Sequence, residues 1–189
     1  MNLKDIEFVK THGFYVYVLG NIDLLKGRMI SVAGTRQIHK ESALWLSDLI
    51  KQANMYSIVS GLALGTDTVA HSTALKNNIP TIAVLPSGFN QITPYQNRKL
   101  AQRIVDNGGL LITKLEPDER AYRDSYIDRN QIIAKLGESL IVPQFNSKSG
   151  TMHTVNFARD YKKHIFVQNV EYPGNQLIIE DDSYKTIIK

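Results

Sequence analysis

The chain has 189 residues, 43% hydrophobic and 21% charged, enough to bury a core of ordinary size without disulfide or metal staples. It carries no cysteine, which excludes thiolate catalysis and cysteine-built zinc sites. A formal charge of +4 suits a polyanion partner; with no leader-like start and no apolar run of membrane length, a cytoplasmic protein away from any membrane is the expectation.

In chain order, the first strong signal is the apolar run 28–33 (RMISVA), a strand that stops at Gly34. Helical spacing follows, with Ala43, Leu44, Leu46, Leu49 and Ile50 on one side. Residues 56–60 (YSIVS) read as a second strand ended by Gly61, and 66–77 as a helix. Pro80 opens a third strand, TIAVL, and a helix is expected over 94–106. Strands at 110–113, 139–142 and 164–168 then alternate with helices at 125–136 and 151–161. Short, β-branched and almost unbroken apolar runs between amphipathic helices mark strands buried on both sides. The expected fold is therefore α/β, a doubly wound, mainly parallel sheet with helices on both faces. One domain over 1–189 is expected, with its core at about 27–170 and short extensions at either end.

In such a sheet ligands sit beyond the carboxyl ends of the strands, so the loops after the strands should hold the chemistry. Gly34-Thr35-Arg36 offers a glycine, a hydroxyl and a charged fork for a phosphate, and is equally readable as a tight turn. Ser60 and Gly61 begin a loop, SGLALGTD, that leads into a helix in the manner of an anion cradle. It lacks the glycine spacing of a dinucleotide fingerprint and the Gly-Lys-Ser/Thr ending of a P-loop. Asp67 and His71 stand one helical turn apart and read as a structural pair in a polar network. Asn97 should lie on the same rim; nearby Tyr95 reads either as packing or as a ring for a base. Arg129 and Asn130 interrupt an apolar helix and suit either a buried network or the cleft. Asn146-Ser147-Lys148-Ser149-Gly150-Thr151 opens the helix after a late strand, and its lysine, glycine and small hydroxyls (Lys148, Ser149, Gly150 and Thr151 above all) make the best phosphate cradle in the chain. Cations and hydroxyls are plentiful in these loops and carboxylates scarce, a poor basis for acid–base catalysis.

Several stretches resemble the DprA (Smf) DNA-processing family: VYVLGNIDLLKGRMISVAGTR, IVSGLALGTDTVAHSTAL, TIAVLPSGFNQITPYQNRKL, YIDRNQIIAKLGESLIVPQFNSKSGTMHTVNFA and GNQLIIEDDSYKTI. The resemblance spans about residues 15–189. It implies an extended Rossmann fold, a homodimer, single-stranded DNA as ligand and loading of a RecA-type recombinase, with natural transformation or recombination as the setting. It implies no enzymatic reaction, cofactor or metal. DNA contacts would fall to Gly34, Thr35, Arg36, Ser60, Gly61, Asn97, Arg129, Asn130, Lys148, Ser149, Gly150 and Thr151.

Departures from the family pattern are local. Thr35 stands where serine is usual, Thr66 where isoleucine is usual, Gln131 replaces the second arginine of an Arg-Asn-Arg motif, and Gln144 takes a glutamate position after Pro143. No separate helical or winged-helix module, as in longer members, is expected within these residues. Two other readings compete. A nucleotide or nucleotide-sugar sensor domain would use the same phosphate-friendly loops. A nucleoside-monophosphate phosphoribohydrolase of the lysine-decarboxylase-like group would need a glutamate at position 154, where Thr154 stands.

Overall fold

The computed structural model describes residues 5–188. Nine strands form one sheet in the order β1-β2-β6-β5-β4-β3-β7-β8-β9. The strands are β1 (Ile6–Thr11), β2 (Phe14–Gly20), β3 (Met29–Val32), β4 (Ser57–Ser60), β5 (Thr81–Leu85), β6 (Leu110–Thr113), β7 (Ser139–Val142), β8 (His164–Val167) and β9 (Lys185–Ile188). The helices between them are α1 (Lys40–Gln52), α2 (Thr66–Lys76), α3 (Arg98–Asp106), α4 (Arg123–Leu136), α5 (Thr151–Asp160) and α6 (Pro173–Glu180). From β3 to β9 every pairing in the sheet is parallel; only β1–β2 and β2–β6 are antiparallel. The doubly wound α/β architecture read from the apolar pattern is therefore the observed one.

The two faces follow from alternation along the strands. Val59, Ile82, Val84, Leu110 and Ile112 meet Ile132, Ile133 and Leu136 of α4 on one face, where Leu140 and Val142 meet Val155 and Ala158 of α5. Ile58, Val32 and Ile141 meet Leu46, Ile50, Ala70 and Ala74 of α1 and α2 on the other, with Ala83, Leu85 and Leu111 against α3. Because both faces are covered, β4, β5 and β6 are buried at every position, which is why their sequences do not alternate in polarity.

Both extensions contribute strands to this sheet. The β1–β2 hairpin turns at His12 (φ 49°) and Gly13 (φ 90°), a left-handed pair that suits a two-residue hairpin loop. Its strand β2 pairs with β6 from Tyr17 to Gly20 and places Val16, Val18 and Leu19 in the core. At the opposite edge β9 pairs with β8 along its whole length. The helix expected over 94–106 instead starts at Arg98, preceded by a 3-10 turn at Tyr95–Asn97.

Winding proceeds outward from β3 through β4 and β5 to β6, then returns to place β7 on the other side of β3. The loops after β3 and β7 therefore diverge to opposite faces and open a crevice between them, the switch point at which ligands of such sheets sit.

Candidate nucleic-acid interface

A cleft of about 410 Å³ occupies this switch point. The loop after β3 supplies Gly34, Thr35, Arg36 and Gln37; the loop after β4 and the start of α2 supply Ala63 and Asp67. Tyr126, Arg129, Asn130 and Ile133 come from one side of α4, and Asn146, Ser149, Gly150, Thr151 and Thr154 from the start of α5 and the loop before it. A shallower cavity of about 80 Å³ continues from it, sharing Arg36, Ala63, Tyr126 and Arg129 and adding Gly61, Leu64, Pro86, Thr93 and Pro94.

Arg129 is the centre of this arrangement. Its side chain is 9% exposed, and Nη1 lies 3.4 Å from Asp67 Oδ2. The guanidinium lies so close over Gly61 that a Cβ there would collide with Nη1. Glycine at 61 thus makes the room in which this guanidinium lies. Burial pushes the Arg129 pKa down, Asp67 opposes that, and nearby Arg36 adds to the lowering. An arginine stays protonated through such a shift. Its Nε is buried without a protein acceptor. Among the described residues the cleft thus presents two guanidiniums, Arg36 exposed and Arg129 buried, against a single carboxylate, Asp67, which also accepts a hydrogen bond from the Ala63 N–H at 3.1 Å.

Hydrogen bonds join the walls. Thr151 Oγ1 donates to the Gly34 carbonyl at 2.9 Å, tying the start of α5 to the β3 loop. Asn130 Nδ2 donates to the Gly150 carbonyl at 3.1 Å, tying α4 to the same place. Thr35 N–H donates to the Gln144 carbonyl and its own carbonyl accepts from Thr66 N–H and Thr66 Oγ1, so the β3 loop is held on both sides. A Cβ on Gly34 would run into the Thr66 side chain. Packing against α2 therefore explains that glycine without a phosphate.

Ser60, Asn97, Lys148 and His71, all singled out in the sequence, line neither cavity. Ser60 is buried and donates its hydroxyl to the Val32 carbonyl at 2.8 Å, closing β4 onto β3. Asn97 is also buried; its amide donates to the carbonyls of Leu62 at 2.8 Å and Ala63 at 3.1 Å. Leu62 holds a φ of 60°, a strained value for a side-chain-bearing residue, and Asn97 pins that turn. Lys148 is exposed on the turn before α5 and does not line the cleft. His71 is fully buried, but it does not hydrogen-bond Asp67 as the helical spacing suggested. Its Nδ1 lies 2.8 Å from Thr81 Oγ1, and that hydroxyl donates to the Ile58 carbonyl. His71 Nδ1 must then carry the proton, leaving Nε2 as a buried acceptor without a donor. Burial pushes its pKa down to about 4, so the ring is neutral.

Asn146, the first residue of the expected phosphate cradle, lines the cleft, as do Tyr126 and Gln37, to which the loop pattern does not point. Tyr126 precedes Arg129 by one helical turn, and the spacing Tyr126, Arg129, Ile133 would have placed it on the same side of α4. Position 154 does face the cleft, and brings a hydroxyl where the phosphoribohydrolase pattern requires a carboxylate. Among the described residues no group of three or more His, Asp or Glu could hold a metal ion, and no helix is long and apolar enough to cross a membrane.

The model of the family described as DNA recombination-mediator protein A matches residues 2–187. Over 152 residues the chain is 35% identical to the DNA processing protein DprA of Streptococcus pneumoniae, covering 80% of this chain and 54% of that protein. The chain spans about half the length of the curated relatives it matches. The X-ray structure of the S. pneumoniae protein superposes with a TM-score of 0.85 at 30% identity, covering 92% of this chain and 62% of that one. A structure of DNA processing protein A from Helicobacter pylori, described for its single-stranded DNA binding mode, superposes with a TM-score of 0.84 at 30% identity, covering 92% of this chain and 81% of that one.

Proposed function

The chain belongs to the DNA recombination-mediator protein A family, and from that premise we propose that its switch-point cleft holds the backbone of single-stranded DNA without catalysing a reaction on it. The observation that carries this reading is the convergence of Arg36 and buried Arg129 on one cleft whose only carboxylate, Asp67, is committed to Arg129. A phosphate in the cleft would meet the exposed guanidinium of Arg36 and the hydroxyl of Thr35, in the field of the buried Arg129 guanidinium behind them. Lys148, exposed beside the α5 end of the cleft, would neutralise a neighbouring phosphate at the rim. Asp67 cannot act as a general base while it balances Arg129, and no other carboxylate lines the cleft.

The similarity to the H. pylori protein supports a single strand as the ligand. Membership of the family further supports a homodimeric, cytoplasmic protein that covers single strands and passes them to a RecA-type recombinase during DNA uptake or recombination.

The test is fluorescence anisotropy of a labelled oligo-dT, about thirty nucleotides long, competed with mononucleotides. We expect tight binding to the strand, weak competition by mononucleotides, and affinity that falls with salt as released counterions require. Arg36→Ala and Lys148→Ala should each weaken binding for all sequences and lower the salt slope by about one. Binding of mononucleotides with no affinity for the strand would overturn the proposal and make the cleft a nucleotide sensor.

A further inference from the structure

Tyr95 has the most exposed aromatic ring among the described residues, with 74% of its surface in solvent. Its neighbours explain why it is held there. Pro94 precedes it, Asn97 behind it is buried against the Leu62–Ala63 turn, and α3 begins at Arg98. The Arg98 guanidinium stacks over the ring, 4.9 Å from its centroid, while its Nε donates to the Ile92 carbonyl at 3.4 Å. One face of the ring is therefore backed by an anchored cation. An arginine–tyrosine pair at the start of a helix accounts for part of this, but not for so large an apolar surface left in water.

Position gives the ring its meaning. Thr93 and Pro94 line the shallow cavity that continues from the cleft through Arg36 and Arg129. Tyr95 follows Pro94 directly in the chain, so a strand leaving the phosphate site along this cavity would pass beside it. Beyond it α3 exposes Lys99 and Arg103, and none of the described ion pairs involves these two or Arg98. A flat ring backed by a cation, between one cationic cleft and one cationic helix, matches the mixture of stacking surface and backbone charge that single strands require.

We propose that Tyr95 is a base-stacking platform, backed by Arg98, for a nucleotide of the strand that leaves the cleft; this rests on the cleft being the site of a single strand's phosphates. Stacking is indifferent to base identity because every base has a π-face, so the platform would add affinity without sequence preference.

The experiment compares two labelled strands of equal length, oligo-dT and a fully abasic backbone, against the full chain. Tyr95→Ala should weaken oligo-dT binding about tenfold and Tyr95→Phe should restore it. On the abasic strand Tyr95→Ala should bind like the parent, and its salt slope should not change, because no phosphate contact is lost. Arg36→Ala, in contrast, should weaken both strands. Since the ring lies outside the core, a thermal melt should show the variant folded. Parent-like binding of oligo-dT by Tyr95→Ala, or an equal loss on both strands, would overturn the platform while leaving the cleft standing. A parent protein that binds neither strand would overturn both.

Discussion

Arg129 lies in its place because residue 61 has no side chain. An ion pair this deep gains little net stability, since desolvation of both partners offsets most of their attraction. Removing Asp67 alone would leave an unbalanced buried cation, so the pair positions a charge more than it stabilises the fold. Gly61→Ala tests this: the added methyl evicts the guanidinium from its bed. Strand affinity should then fall about tenfold or more, as for loss of one charged hydrogen bond, with a salt slope smaller by about one, measured by anisotropy. Unchanged affinity would show that Arg129 does not reach the ligand. His71 allows a second prediction. Its folded pKa, about 4, lies below the ordinary 6.5. The unfolded chain thus takes up a proton that the native ring refuses. Stability should be full above pH 6.5 and decline as pH falls towards 4, by about 3 kcal/mol. Urea unfolding across that window should show the slope, and His71→Gln should flatten it.

The edge strands carry more of the fold than the pattern of residues announced. The segments EFVKT and FYVYVLG are rich in β-branched and aromatic residues, and the glycine of His12-Gly13 between them permits a tight turn. They read as an extension because nothing local says that β2 will pair with β6, about ninety residues away in sequence. The central strands were legible because burial on both faces leaves a continuous apolar run. Loop residues were legible as polar but not in direction. Ser60 and Asn97 turn inward to close strands and pin Leu62, whereas Thr35 and Ser149 line the cleft; all four are uncharged polar residues at a strand end or in the segment that follows one. Direction depends on tertiary closures such as the strained Leu62 turn, which no local spacing encodes. If the hairpin is part of the core, Leu19→Ala should cost about 2–5 kcal/mol in urea unfolding. Phe8→Ala, on the same ribbon but 59% exposed, should cost less, about 0.5–1.5 kcal/mol, for its ring contacts with Tyr15 and Tyr17. Equal effects would show that the hairpin is not integral.

At the scale of the whole molecule, one reversal of winding order produces the crevice, and helices from both faces supply its walls. α4 contributes the buried charge and α5 the hydroxyls, while the β3 loop brings the exposed guanidinium. No single segment contains the site, so its composition becomes readable only when the strand order is known. The two latches described above, Thr151 to the Gly34 carbonyl and Asn130 to the Gly150 carbonyl, carry a consequence for rates. Walls already bonded to each other are pre-formed, so on the proposed reading capture of a strand should need little rearrangement of the cleft. Association would be limited by diffusion and steered by the cationic rim, and differences in affinity among variants of the cleft would be expressed as differences in residence time.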